Sequence, residues 1–152
     1  MSVTVIGLGY VGLSISVLLA RKFQVYAVDI DSRKIEMLKR LESPILDEDI
    51  TYHLSNINLG LVPSSDLELS LKKSKFAVVA TPTDYDPATN QFDVSSVKAV
   101  VQEALLVNPK ITVIIKSTIP IGLVDELRKE LGSERIYFSP EFLREGSALR
   151  DN

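Results

Sequence analysis

Short runs of β-branched and apolar residues alternate along this chain with longer stretches whose apolar positions recur every three or four residues. "SVTVI" (2–6), "QVYAVDI" (24–30), "KFAVVAT" (75–81), "ITVIIKS" (111–117) and "RIYFS" (135–139) have the pattern of buried strands. Between them, 10–22 carries Val11, Ile15, Leu18 and Leu19 at helical spacing. Residues 31–40 place Ile35 and Leu38 on one face behind Asp31 or Ser32 as N-cap. Two more helices are predicted, one at 93–107 capped by Asp93 and one at 120–132 with Pro120 near its first position and Gly132 past its end. The remainder is less regular. A loop begins at Pro44, then a short helix to about 56 has Asp47, Glu48 and Asp49 in its first turn, where the helix dipole favours them. Residues 59–65 hold at most a short strand, 65–74 a helix, and 82–92 a proline-punctuated loop.

Strands alternating with helices imply β-α-β units, hence a doubly wound, mostly parallel sheet in three α/β/α layers, Rossmann-type, with 1–152 as one domain. There is no internal repeat and no low-complexity linker. Ligands of such sheets sit outside the carboxyl ends of the strands, and four features of the sequence fall there.

The first is "VIGLGYVG". Gly7, Gly9 and Gly12 follow a strand and open a helix, a context that makes G-x-G-x-x-G informative. Gly7 permits the turn, Gly9 lets a pyrophosphate approach, and Gly12 packs helix against strand. The N–H groups around Tyr10 and Val11 would face the phosphates. The second is Asp29, 17 positions after Gly12, where a carboxylate accepts from adenosine ribose hydroxyls and repels a 2′-phosphate, favouring NAD over NADP. Arg33 and Lys34 complicate that preference, and Asp29 could instead cap a helix. The third is "ATPTDYD": Thr81 and Thr83 could bond a ribose or an amide, or be ordinary loop residues. The fourth pairs "IIKSTIPIG" with "SPEFLREG". Thr118 is either a helix cap or a functional hydroxyl. Glu141 and Glu145 are either solvated or an acid–base pair.

Composition narrows the rest. The chain has 152 residues, 45% of them hydrophobic, and a formal net charge of −3, which argues against general nucleic-acid binding. With no cysteine there is no disulfide, thiol nucleophile or thiolate metal site. The one histidine, His53, reads as a helix-surface residue, and no metal is expected. Tyr85 and Tyr137 read as packing residues, and Lys72, Lys73 and Lys75 as a solvated helix end. The apolar N-terminus is broken by glycines and lacks a basic lead, and no run approaches the ~20 residues of a membrane span, so a cytoplasmic address is expected.

Taken together, "VIGLGYVGLSISVLLA", "VDI", "SPILDEDI", "ATPTDYDPATNQFDVSSV", "IIKSTIPIG" and "SPEFLREGSALRDN" resemble the N-terminal domain of the UDP-glucose/GDP-mannose 6-dehydrogenase family along the whole chain. That family oxidises the C6 hydroxyl of a nucleotide-sugar to a carboxylate with two NAD+ and one water, by way of a cysteine thiohemiacetal and thioester. The resemblance implies that Gly7, Gly9, Tyr10, Val11, Gly12, Asp29 and Lys34 hold one half of NAD. Thr81, Thr83, Thr118 and Glu145 then lie toward its nicotinamide. Glu141, Phe142, Leu143, Arg144 and Glu145 line a UDP-sugar site, Thr118 holds a water, and Glu145 activates it. The family's cysteine, central dimerising helix and UDP-binding domain have no counterpart here. The chain is therefore expected to be a truncated piece of a homodimeric parent, inactive alone, with the tail after about 140 mobile and Phe142 and Leu143 exposed. UDP-glucose is the expected substrate, with GDP-mannose or UDP-N-acetylmannosamine as alternatives and a non-catalytic NAD-sensing module as a different class of reading.

Overall fold

The computed structural model describes residues 1–88 and 90–152, with Gln91 described by its backbone alone. Eight strands and seven helices occur in the order β1 (Ser2–Ile6), α1 (Tyr10–Ala20), β2 (Gln24–Val28), α2 (Ser32–Lys39), α3 (Glu48–Asn56), β3 (Leu61–Ser64), α4 (Leu67–Lys72), β4 (Phe76–Val79), β5 (Tyr85–Asp86), β6 (Gln91–Phe92), α5 (Ser95–Val107), β7 (Thr112–Ile115), α6 (Leu123–Leu131), β8 (Ile136–Phe138) and α7 (Ala148–Asp151). Six strands form one sheet in the order β3-β2-β1-β4-β7-β8, every pair parallel. The chain winds outward from β1 through β2 to β3, returns to β4, and winds the other way to β8. The reversal lies between β1 and β4, the switch point of a doubly wound sheet.

Strand alternation divides the core. Ile6, Ala77, Val79, Val113, Ile115 and Ile136 point to one face, under Val97 and Val101 of α5 and Leu123 and Leu127 of α6. Val3, Val5, Val25 and Val78 point to the other, under Ile15 and Ala20 of α1. A third cluster joins Leu13 and Val17 of α1 to Ile35, Leu38, Ile50 and Leu54 of α2 and α3. Residues 12–17 of α1 are all buried, as a helix covered on every side must be. Its two serines accordingly turn inward, Ser14 Oγ donating to the Val11 carbonyl at 2.9 Å and Ser16 Oγ to that of Gly12 at 2.7 Å.

Aspartates start three helices. Asp31 accepts from the Arg33 N–H, Asp47 from that of Ile50 and Asp66 from that of Leu69, at 2.9, 3.0 and 2.9 Å. Helix α1 has no side-chain cap and no acidic residue in its first turn, so among the described residues its leading N–H groups have no side-chain partner.

Several expectations are corrected. Helix α5 starts at Ser95 with Val94 as N-cap. Asp93 still serves it, accepting from the Ser95 N–H at 2.9 Å. Helix α6 starts at Leu123, because Gly122 at φ 91 turns the chain into it. Pro120 belongs to the preceding turn, its carbonyl accepting from the Leu123 N–H. The tail is also structured: α7 folds back onto α1 and α3 with Ala148 fully buried and Leu149 packed against the third core cluster. Leu143 is half-buried, whereas Phe142 is exposed as expected. The loop expected over 82–92 contains the small antiparallel hairpin β5–β6; Thr89 within it lies outside the described residues.

Candidate functional site

The glycine loop is built by close approach. Gly7 takes φ +90, and a Cβ there would meet the Ala80 carbonyl oxygen at 2.5 Å. A Cβ on Gly12 would lie 1.8 Å from the Gly7 carbonyl oxygen. Gly9 differs: nothing lies within 4 Å of its Cβ position. Two glycines are therefore required by the protein's own packing, and the third faces open space beside the free N–H groups of α1. That is the cradle a diphosphate needs, a negative group against uncapped helix N–H groups with no side chain between.

Asp29, just past β2, is 8% exposed. Its carboxylate accepts from the Leu8 N–H at 2.8 Å, the Asp31 N–H at 2.9 Å and Lys34 Nζ at 3.1 Å. The bond from Leu8 ties the acid to the glycine loop, so cradle and carboxylate form one unit. Asp31 is the N-cap of α2, which removes that alternative for Asp29. Arg33 is engaged too: its guanidinium donates to both oxygens of Asp31, at 3.1 and 3.0 Å, and this holds the Asp31 carboxyl below the usual aspartate range. Each of the two basic residues is thus paired with a carboxylate.

At the ends of β4 and β7, Thr81 is half-buried and its Oγ1 accepts from Ser96 Oγ at 3.2 Å. Thr83 is half-buried as well. Thr118 is exposed and caps nothing, since the N-cap of α6 is Gly122; its hydroxyl has no partner among the described residues. Beyond β8, Glu141 pairs with Lys116, whose side chain is 9% exposed and also donates to Ser139 Oγ at 3.1 Å. Arg144 forks onto Asp151, at 3.1 and 2.7 Å, and its own N–H donates to the same carboxylate at 2.9 Å. Glu145 is exposed, without a hydrogen bond or ion pair among the described residues.

Sequence reasoning missed Lys116 and Ser117, although both stand in the quoted "IIKSTIPIG". Ser117 is buried and its hydroxyl donates to the Thr81 carbonyl at 2.7 Å, tying the end of β7 to the turn that carries Thr81 and Thr83. A polar pair ending an otherwise apolar strand was the available signal. His53 bonds through Nδ1 to the Asp49 carbonyl, and no cluster of metal-ligating side chains exists among the described residues. Tyr85 packs against Phe92 with the rings tilted and Tyr137 lies under Arg128, both tyrosines half-exposed. Lys72 pairs with Glu68 and Lys73 lies over Tyr26. No described helix is long and apolar enough to cross a membrane.

A doubly wound parallel sheet, a glycine cradle at its switch point and an acid hydrogen-bonded to that cradle define a dinucleotide-binding domain. The family model for the UDP-glucose/GDP-mannose dehydrogenase family, NAD binding domain, matches residues 1–152, and the chain belongs to that family. It is 45% identical over 152 residues to a UDP-glucose 6-dehydrogenase of Streptococcus pneumoniae, covering 100% of this chain and 39% of that one. It is 41% identical over 155 residues to one of Campylobacter jejuni, again covering 100% and 39%. Among solved structures, a UDP-glucose dehydrogenase from Pyrobaculum islandicum superposes with a TM-score of 0.84 at 26% identity, over 99% of this chain and 38% of that one. A GDP-mannose dehydrogenase from Pseudomonas aeruginosa shares the fold, with a TM-score of 0.85 at 24% identity over 99% and 38%. The chain thus spans about two-fifths of the length of these relatives. Its cofactor is NAD.

Proposed function

We propose that this chain is the cofactor-binding part of an NAD-dependent nucleotide-sugar dehydrogenase acting on UDP-glucose. The observation that carries this reading is the shared edge. The glycine cradle, Asp29, Thr118 and the 139–147 segment all follow the carboxyl ends of strands in one sheet.

NAD+, when bound, accepts the hydride of each oxidation. The chain's own residues hold and orient it. The free N–H groups of α1 face the pyrophosphate, and Asp29 meets the adenosine ribose, where its charge rejects a 2′-phosphate. Lys34 stays on Asp29, and Thr81 and Thr83 flank the nicotinamide end. Thr118, exposed and unpartnered, orients a water, and Glu145, the glutamate with no cation on it, takes that water's proton. Glu141 and Arg144 are held by Lys116 and Asp151, so they shape the sugar-nucleotide wall along with Phe142 and Leu143. Because the chain contains no cysteine, any thiol step belongs to residues outside it, as do the central helix, the UDP-binding domain and the homodimer of the whole protein.

UDP-glucose is favoured over GDP-mannose and UDP-N-acetylmannosamine because relatives named for it are 45% and 41% identical, against 30% for a UDP-N-acetyl-D-mannosamine dehydrogenase of Methanocaldococcus jannaschii. Isothermal titration of the chain with NAD+ and NADP+ tests the cofactor half. Saturation by NAD+ alone is expected; binding of neither, or equal binding of both, overturns it. Turnover of UDP-glucose by the chain alone would overturn the division of labour.

A further inference from the structure

The segment after β8 crosses the carboxyl edge of the sheet and is fastened at both ends. It leaves β8 through the Ser139 N–H, which donates to the Ile115 carbonyl, and through Glu141 on Lys116. It arrives on the opposite side of the switch point. There Arg150 sets Nε and a terminal nitrogen on the two oxygens of Asp49 in α3, at 2.6 and 3.0 Å. Asn152 Nδ2 donates to Ser14 Oγ of α1 at 2.7 Å. Between these anchors the Arg144–Asp151 fork closes a short loop that contains Glu145 and Gly146, the latter at φ 80. Ser14 in turn donates to the carbonyl of Val11, a first-turn residue of the phosphate cradle. Glu145 itself makes no hydrogen bond or ion pair among the described residues, so its position is set by what holds the loop around it.

We propose that residues 139–152 form a brace in which Arg150 and Asn152 are positioning residues, fixing Glu145 in register with the glycine-loop helix. The proposal deepens the cofactor reading and rests on it for the ligand arm of the test only. The Arg150–Asp49 pair is partly exposed and worth about a fivefold change in local opening, as for exposed bidentate pairs. The brace is therefore adjustable, and cofactor seated on α1 should be felt along it.

The test is amide hydrogen exchange on the 152-residue chain, with and without NAD+, for wild type, Arg150→Ala, Asn152→Ala, Leu149→Ala and the swapped pair Asp49→Arg with Arg150→Asp. Without ligand, Arg150→Ala and Asn152→Ala should each speed exchange over 141–147 about fivefold. Leu149→Ala should speed it more, β1 and β4 should be unchanged, and the swapped pair should return toward wild type. With saturating NAD+, wild type should gain protection over 141–147, and Arg150→Ala should bind NAD+ without that gain. Unchanged exchange in the unliganded single variants overturns the proposal. So does NAD+ binding that leaves 141–147 unprotected in wild type. Absence of NAD+ binding would instead overturn the cofactor reading, leaving the unliganded variants to decide the brace.

Discussion

The two ends of the candidate site are built differently. At the glycine loop every group is fixed by a close contact within this chain: Gly7 by the Ala80 carbonyl, Gly12 by that of Gly7, Asp29 by the N–H groups of Leu8 and Asp31 and by Lys34. At the far end, Thr118, Phe142 and Glu145 are exposed, and what order they have comes from residues distant in sequence, Lys116 on Glu141 and α1 under Asn152. On the proposed reading, the groups that hold the adenosine half of the cofactor all lie within this chain. On the same reading the far end is one wall of a site, in a chain that spans two-fifths of its relatives' length.

The contrast is broken most severely inside the glycine loop. Gly12→Val should cost at least about 3 kcal/mol or abolish folding, since its Cβ would fall 1.8 Å from a carbonyl oxygen. Gly9→Val, with nothing near its Cβ position, should leave the melting temperature nearly unchanged yet remove NAD+ binding. Melting and titration of both variants check the pair; equal loss of stability would show that Gly9 also serves packing.

Asp29→Asn comes next. It puts an amide where Leu8, Asp31 and Lys34 all donate, and should cost about 1–3 kcal/mol in urea unfolding while weakening the preference for NAD+ over NADP+. Asp47→Ala removes the N-cap of α3 and should cost about 1 kcal/mol, measured the same way.

Smaller still is a pH effect confined to the far end. Hydrogen bonds from the Arg144 side chain and N–H draw the Asp151 carboxyl down from 3.8 to about 2. A depressed carboxylate contributes stability that is fully present above its unfolded value and lost as pH falls through its folded one. Exchange over 144–151 should therefore rise between about pH 4 and pH 2, and Asp151→Asn should remove that dependence. Smallest is Glu145→Gln: the glutamate is exposed, with no hydrogen bond or ion pair among the described residues, and the change should alter stability by less than about 0.5 kcal/mol. A large loss would mean the glutamate is structural.

Most of the sheet was legible because buried parallel strands and their helices carry short-range patterns; the bounds of β1 and the Asp31 cap follow from residues a few positions apart, whereas Asp47, expected in the first turn of α3, is its N-cap. The start of α6 was misplaced because Pro120 suits a first helical turn by local rule, whereas a left-handed Gly122 sets the boundary. The tail was misjudged for a different reason. "SALRDN" is weakly patterned and four helical residues are not stable alone, so its order depends on Ala148 and Leu149 meeting a core assembled more than a hundred residues earlier.

By itself, then, the amino-acid sequence determined the parallel α/β architecture, the glycine cradle and its acid, because each depends on local spacing and on side chains too small or too charged to be elsewhere. Tertiary structure alone decided which glutamate is paired, that Lys116 holds Glu141 and Ser117 holds the Thr81 carbonyl, and that the last residues bind back to α1. Those depend on which strand ends become neighbours when the chain reverses at β1 and β4, a long-range fact that no local pattern encodes.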